Sequence, residues 1–472
     1  MLKAGQKLNV RIAYVDDEGK GIAYDKRDAI MVSGVLADEV AEVQIQKRLK
    51  QGYSARLGKI VKPSKNRCEP VCPLFLRCGS CHLQHMQMNA QADWKQAMVE
   101  RMVKESSLKD LQVQNVITAT NPYGYRNKII IGFTRDKQGV HAGFYEEYSH
   151  RIVPMEDCLL HDDLSNQLIR SLIAMVKKLR IEPYQEDRKK GILRHILIRK
   201  GAVSGQIMIV LITSQSAFPA RGQFVDQIRK EWPAVKTIIQ NINHRSTSIV
   251  LGSEEKVLFG SGYIEDELCG NTYRISASSF YQINHEQTEV LYQKALSLLE
   301  TKGNETVLDT YCGIGTIGMT LAPHVKQVVG VELNKQAVKD AIQNAKRNHV
   351  DNIRFVAEDA SVYMQKLAAS RQRVDVVIMD PPRSGSTHQF IQACAQLKPR
   401  AILYISCNPK TQIRDLEVFK SKGYVSDKMY LVDLFPQTNH VESISFSIFI
   451  KDALRSIFLN FNNIMNDRVY KK

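Results

Sequence analysis

Between residues 304 and 405 short apolar runs alternate with helical patterns, and this alternation limits the possible folds more than any other feature of the chain. Runs at 304–310, 325–332, 353–357, 374–379 and 401–405 have the length and β-branched content of buried strands, and residues 335–347 read as a helix between two of them. Consecutive strands joined by helical crossovers run parallel, so the expected fold class is α/β, with a doubly wound, Rossmann-like sheet. The first run ends in Tyr311-Cys312-Gly313-Ile314-Gly315-Thr316-Ile317-Gly318, a strand entering a glycine-rich turn and then a helix. Such a turn lets a nucleotide approach the backbone, and Glu332, closing the second strand, stands where a carboxylate can hold ribose hydroxyls.

Two further strand ends carry chemistry. Asp380-Pro381-Pro382-Arg383 follows the fourth run, and an acid with two rigid prolines builds a fixed lip against which a planar group can be clamped; the plainer reading is a simple turn. Tyr404-Ile405-Ser406-Cys407-Asn408-Pro409 follows the fifth run, and Pro409 begins a helix in its first turn, where a missing N–H costs nothing. A free cysteine is commonly a small core residue. Here the strand end puts Cys407 on the rim of the sheet, where ligands of open α/β sheets sit.

At 472 residues the chain exceeds what one core supports, and about three domains are expected. The sequence divides into an OB-like β-barrel at 1–62, a mixed α/β central segment at 63–270, the α/β domain at 271–452 and a C-terminal tail at 453–472. The formal net charge is +16 and the isoelectric point about 9.3, which favours a polyanionic partner through counterion release. Lys47, Arg48, Lys50, Arg56, Lys59, Lys62, Lys65 and Arg67 follow one another with no acid between, and Tyr53 among them is a candidate stacking surface for RNA. Arg188-Lys189-Lys190, Arg194-His195 and Arg199-Lys200 are either RNA contacts or ordinary surface. No signal peptide opens the chain, and no apolar run reaches the roughly 20 residues needed to cross a bilayer, so a cytoplasmic protein without a membrane partner is expected. In that reducing compartment nine cysteines suggest metal binding or catalysis ahead of disulfides. Cys68, Cys72, Cys78 and Cys81 are close enough in sequence for a zinc site, and Cys158 is a candidate distant ligand of an iron–sulfur cluster; spacing leaves both open.

Asp380-Pro381-Pro382-Arg383, Ser406-Cys407-Asn408-Pro409 and Leu434-Phe435-Pro436-Gln437-Thr438-Asn439-His440-Val441-Glu442, in this order on successive strand ends, resemble the S-adenosylmethionine-dependent RNA uracil-5 methyltransferases of the TrmA and RumA type. The likeness extends over nearly the whole chain, the N-terminal module resembling that family's TRAM domain. It implies Cys407 as nucleophile and Glu442 as general base, with Gln282, Tyr311, Glu332 and Asp380 binding S-adenosylmethionine. It implies Cys72, Cys78, Cys81 and Cys158 as ligands of a 4Fe-4S cluster, leaving Cys68 unassigned. Family members with both the barrel and the cluster generally act on large-subunit (23S) ribosomal RNA, which is the expected partner, with transfer RNA as the alternative and a monomer as the acting form. The residue types suit the chemistry: a thiolate added to carbon 6 of uracil makes carbon 5 nucleophilic, and a base must afterwards remove the carbon 5 proton. The rivals are a cytosine-5 methyltransferase, a nicotinamide oxidoreductase, which leaves Cys407 and Glu442 idle, and a non-catalytic RNA-binding iron–sulfur protein.

Overall fold

In the first 62 residues apolar side chains alternate with polar ones, and alternation buries one face of every strand. The computed structural model, which describes residues 2–450 apart from 148, 246, 248 and 371, closes these strands into a barrel: Lys7–Val15, Lys20–Asp25, Asp28–Ser33, Gly52–Lys62 and Val40–Leu49, the last pairing back to the first. Val10, Ile12, Ala23, Ile30, Val32, Val43 and Ile45 fill it. Gly52 lets strand Gly52–Lys62 approach Asp28–Ser33, because a Cβ there would meet the Ala29 carbonyl oxygen at 2.0 Å. Lys47, Arg48, Lys50, Arg56, Lys59, Lys62 and Lys65 are exposed as expected. Tyr53 is not: it is 3% exposed within the barrel core and is therefore no stacking surface. Arg67 leaves the basic face to bind the buried Glu39 carboxylate, with Nε to Oε1 at 2.6 Å.

The chain then runs through the cysteine-rich segment 68–81, which has no regular secondary structure, into a helix at Met88–Glu105. This helix and the following strand, Gln112–Ile117, pack on the downstream sheet. That sheet has the order Ile353–Ala357, Gln327–Glu332, Thr306–Thr310, Val376–Met379, Ala401–Ser406, Glu442–Phe449, Lys428–Val432, Gln112–Ile117. Its first five strands are parallel, as the βα alternation requires. Glu442–Phe449 then inserts antiparallel to both neighbours. Val307, Val376, Ile378, Leu403 and Ile405 face one helical layer, while Leu308, Val377, Met379, Ile402 and Tyr404 face the other, so both faces of the sheet are buried.

A second sheet of seven strands lies between these parts in sequence, backed by helices Asp163–Lys178 and Arg221–Glu231. Two of the basic clusters are absorbed by its folding. Buried Arg194 binds Glu186 and the carbonyl oxygen of Asn243, Arg199 is buried against the carbonyls of Ala277 and Ser279, and Lys200 pairs with Asp162 at 2.7 Å. These are structural contacts and not RNA contacts; Arg188, Lys189 and Lys190 remain exposed. No helix among the described residues is long and apolar enough to cross a membrane. The expected tail, 453–472, lies outside the described residues.

The helix Met88–Glu105 is tied to the sheet by a fully buried ion pair, Lys95 Nζ to Asp433 Oδ1 at 2.7 Å, with both side chains at most 1% exposed. Losing one partner strands the other charge in a dry interior. Lys95→Met should therefore destabilise the protein by about 3–5 kcal/mol in urea titrations followed by tryptophan fluorescence, and the double substitution Lys95→Met/Asp433→Leu should recover most of that loss.

Candidate active site

Backbone register brings the thiol and the acid singled out in the sequence to one end of the sheet. The antiparallel ladder ends with Ser406 opposite Ser443, so Cys407 and Glu442, 35 apart in sequence, both adjoin its last pair and the acid acts electrostatically on the thiol. Cys407 sits where strand Ala401–Ser406 gives way to helix Pro409–Ser421, and Pro409 is that helix's first residue. The turn is braced: Asn408 N donates to Ser406 Oγ at 3.1 Å, while Asn408 Nδ2 and Thr411 Oγ1 donate to the Arg383 carbonyl oxygen at 2.9 and 3.2 Å. The last two bonds tie the lip after Asp380 to the thiol's own turn.

The electrostatics is that of a crowded acidic pocket with the Arg383 cation at its edge. Burial, then Glu442 and then Asp380, push the Cys407 thiol up to about 11, and Arg383 opposes them. Glu442, 3% exposed, is held well above the usual carboxylate range by burial and by Asp380, with Arg383 again pulling the other way. Burial pushes Asp380 up to about 7. Asp309, whose Oδ2 accepts from Gly318 N at 2.9 Å, is raised to about 8 by burial, with smaller contributions from Asp380 and Glu332. His440, beside the thiol, is kept neutral, lowered to about 3 by burial and then by Arg383.

Beyond the thiol a cleft of about 840 Å³ opens between three parts of the molecule. The rim of the α/β domain supplies Arg383, Cys407, Lys410 and His440; the barrel's first hairpin supplies Tyr14, Asp16, Asp17 and Glu18; the helix Met88–Glu105 supplies Arg101 and Met102. The hairpin is fastened there by Trp94 Nε1 to Val15 O at 3.3 Å and Asn439 Nδ2 to Asp17 O at 3.2 Å.

The other expected residues gather less uniformly. Glu332 closes its strand, its Oε2 accepting from Gly313 N at 3.1 Å and its Oε1 from Asn334 N at 2.7 Å. Tyr311 adopts a left-handed φ of 62° at the mouth of the glycine turn, with its hydroxyl 3.2 Å from Ser386 Oγ. Gln282 is buried just before helix His285–Ser297, but among the described residues no hydrogen bond joins its side chain to Tyr311, Glu332 or Asp380. Cys72, Cys78, Cys81 and Cys158 share one region: Cys81 and Cys158 are raised to about 12 and about 11, first by burial, and each also feels other thiols of the set. Among the described residues, however, no three His, Cys, Asp or Glu side chains come together closely enough to hold a metal ion. Zn–S bonds of about 2.3 Å would draw the sulfurs to within about 4 Å of one another, so the expected metal ligands are neighbours without forming a zinc-like coordination sphere.

Comparison with known proteins agrees with this architecture. The family model described as tRNA (Uracil-5-)-methyltransferase matches residues 87–449. The chain belongs to the tRNA (uracil-5-)-methyltransferase family. It is 38% identical over 440 residues to an uncharacterized RNA methyltransferase of Halalkalibacterium halodurans, covering 93% of this chain and 96% of that one. It is 39% identical to one of Staphylococcus aureus over 94% of this chain and 99% of the relative. Among solved structures, the Pyrococcus abyssi tRNA (uracil-54, C5)-methyltransferase in complex with S-adenosyl-L-homocysteine matches with a TM-score of 0.75 at 25% identity, covering 93% of this chain and all of that one.

For this uracil-5 methyltransferase, sequence reasoning singled out the thiol, the acid and the lip. It passed over Arg383 as a charge partner, His440 as a neutral wall, and Asp309, although all three stand in or beside motifs it quoted. With the thiol raised to about 11, alkylation of Cys407 by iodoacetamide, located by mass spectrometry, should climb about tenfold per pH unit between pH about 7 and about 10. Arg383→Leu removes the opposing cation, raises the thiol further and should slow alkylation at any pH within that window.

Proposed function

We propose that this enzyme methylates carbon 5 of uridine in RNA, with Cys407 as nucleophile and Glu442 as base. The observation that carries the reading is the ladder pairing Ser406 with Ser443, which brings Cys407, in the wall of an open cleft, within electrostatic reach of buried Glu442. The target uracil cannot be reached within a helical stack, so it enters splayed out of the RNA. The Cys407 thiolate donates an electron pair to carbon 6, and the carbon 5–carbon 6 π electrons shift toward carbon 4, leaving carbon 5 nucleophilic. S-adenosylmethionine, when bound, supplies an electrophilic methyl group to that carbon. Glu442 then takes the proton from carbon 5, the double bond re-forms and the thiolate leaves carbon 6. Arg383 favours the ionised form of both groups, and neutral His440 closes the side of the pocket without adding charge.

The chain's residues fit that methyl donor. Gly313 has a φ of 56° and nothing within 4 Å of the position its Cβ would occupy, so the turn presents open backbone. Tyr311, Glu332, Asp380 and Gln282 would hold the donor around this turn. Cys72, Cys78, Cys81 and Cys158 are proposed as ligands of a 4Fe-4S cluster: the donor set is the four thiolates such a cluster takes, and iron charge would compensate the Cys81 and Cys158 thiols, which burial raises. No step of the reaction passes through it.

Large-subunit ribosomal RNA is the proposed substrate, on the resemblance to members that carry both barrel and thiol set. Transfer RNA is the second reading, supported because the Pyrococcus abyssi enzyme, which matches over 93% of this chain, is a tRNA (uracil-54, C5)-methyltransferase. Labelled S-adenosylmethionine, offered with unmodified large-subunit ribosomal RNA and separately with unmodified transfer RNA, should yield 5-methyluridine in the first; label in transfer RNA alone would exchange the substrate, and label in neither would remove the reading.

Cys407→Ala should methylate at less than about one-thousandth of the wild-type rate and form no adduct. Glu442→Gln should still add to RNA but release it about 10²- to 10⁴-fold more slowly, trapping a covalent complex on denaturing gels. Free turnover by Cys407→Ala would refute the assignment.

A further inference from the structure

The two lips of the catalytic cleft differ in charge. The α/β-domain lip presents exposed Arg383 and Lys410; the barrel lip presents Asp16, Asp17 and Glu18. A phosphodiester strand lying across the thiol is drawn to the first lip, whereas on the second Asp17 is paired with Arg101 and Glu18 with Lys20, which leaves neither cation spare for a phosphate. What the acidic lip can receive is the uncharged face of a base, and it offers a ring for one. Tyr14 lines the cleft and is 39% exposed, at a point where the pairing of its strand with Lys20–Asp25 shifts register between Ile12 and Tyr14.

The ring is held in place. The Arg101 guanidinium carbon stands 5.6 Å from the Tyr14 ring centroid, and Arg101 is itself fixed by Asp17 at 2.6 Å. Tyr24, 54% exposed, lies on the neighbouring strand Lys20–Asp25. Asp16 Oδ1 accepts from the backbone N–H groups of Glu18 and Lys20, both at 2.9 Å, and so shapes the hairpin tip next to it. A cation over one face of an aromatic ring and a braced loop beside it make a preorganised stacking surface.

We infer that Tyr14 is the stacking platform for a nucleobase adjoining the uracil that enters toward Cys407, with the phosphates of the same stretch running along Arg383 and Lys410. This rests on the reading of Cys407 as the nucleophile of an RNA methyltransferase and adds the residue that holds the RNA next to the target. An extruded base loses its stacking on both neighbours, and Tyr14 returns stacking to one of them.

The test uses the full-length protein, S-adenosylmethionine and whichever of the two unmodified RNAs the wild type methylates. Absence of both methylation and a Cys407 adduct in the wild type would remove the underlying reading, and the inference with it. With turnover established, Tyr14→Ala should raise KM for RNA about tenfold while kcat and KM for S-adenosylmethionine change much less. Tyr14→Leu, which keeps apolar bulk without a π face, should behave like Tyr14→Ala, whereas Tyr14→Phe should bring KM back to within about twofold of wild type. 2-Aminopurine placed beside the methylated uridine should be quenched on binding to the wild type and to Tyr14→Phe, and not on binding to Tyr14→Ala. Unchanged KM and unchanged quenching in Tyr14→Ala would overturn the inference while leaving the Cys407 chemistry standing.

Discussion

The arrangement of the site depends on one antiparallel strand in an otherwise parallel sheet. Strand Glu442–Phe449 enters between Ala401–Ser406 and Lys428–Val432 and pairs Ser406 with Ser443, which brings the acid that opens one strand to the thiol that follows the other. Main-chain hydrogen bonds fix such a relation more tightly than any loop, and a slip of one residue would turn Glu442 to the opposite face of the sheet. The serines at 443, 445 and 447 are buried along this strand, and Ser443 Oγ donates to the Ser406 carbonyl oxygen at 3.1 Å, so the register is fastened by side chains as well.

The segment leading into that strand is held by residues from much earlier in the chain. Lys95 reaches Asp433 and the Phe435 carbonyl oxygen. Asn284 Nδ2 donates to the carbonyl oxygen of Leu434 at 3.1 Å, and Tyr125 Oη to that of Pro436 at 3.1 Å. Gln91 and Gln437 exchange two hydrogen bonds, 3.0 and 3.2 Å, and the Gln437 carbonyl oxygen accepts from the backbone of His82 and Leu83, immediately after the last clustered cysteine. Gln437 has a φ of 68°, a left-handed conformation that a non-glycine residue keeps only when its surroundings impose it. The barrel, the cysteine segment and the first long helix therefore act together as the mould for the stretch carrying His440 and Glu442.

The same enclosure explains the unusual proton affinities. Asp309, Asp380 and Glu442 are all raised, in each case by burial, and Asp309 and Glu442 also by Asp380. Arg383 stands at the rim, where it can act on thiol and acid together, because its backbone carbonyl is bonded into the turn that carries Cys407.

Local patterns were legible where the physics is local. The parallel strands, the helix at Lys335–Arg347, the proline-started helix after Cys407 and the closed β module follow from apolar periodicity and turn chemistry, and those alone are enough to put Cys407 and Glu332 at strand ends. Side-chain fate was not legible. Tyr53 and Arg194 have the composition of surface residues, yet one fills the barrel and the other is buried against Glu186, because the strands that cover them come from elsewhere in the sequence. Nor does the sequence order of Gln112–Ile117 show that it extends a sheet whose other strands lie some two hundred residues or more downstream. By itself the sequence determined which residues could do chemistry and which strand ends carry them, since both are matters of residue type and short-range periodicity. The tertiary structure decided that Cys407 comes within electrostatic reach of Glu442, that Arg383 tempers both and that the barrel walls the cleft, because pairing register and burial are set between segments that touch only when the whole chain has folded.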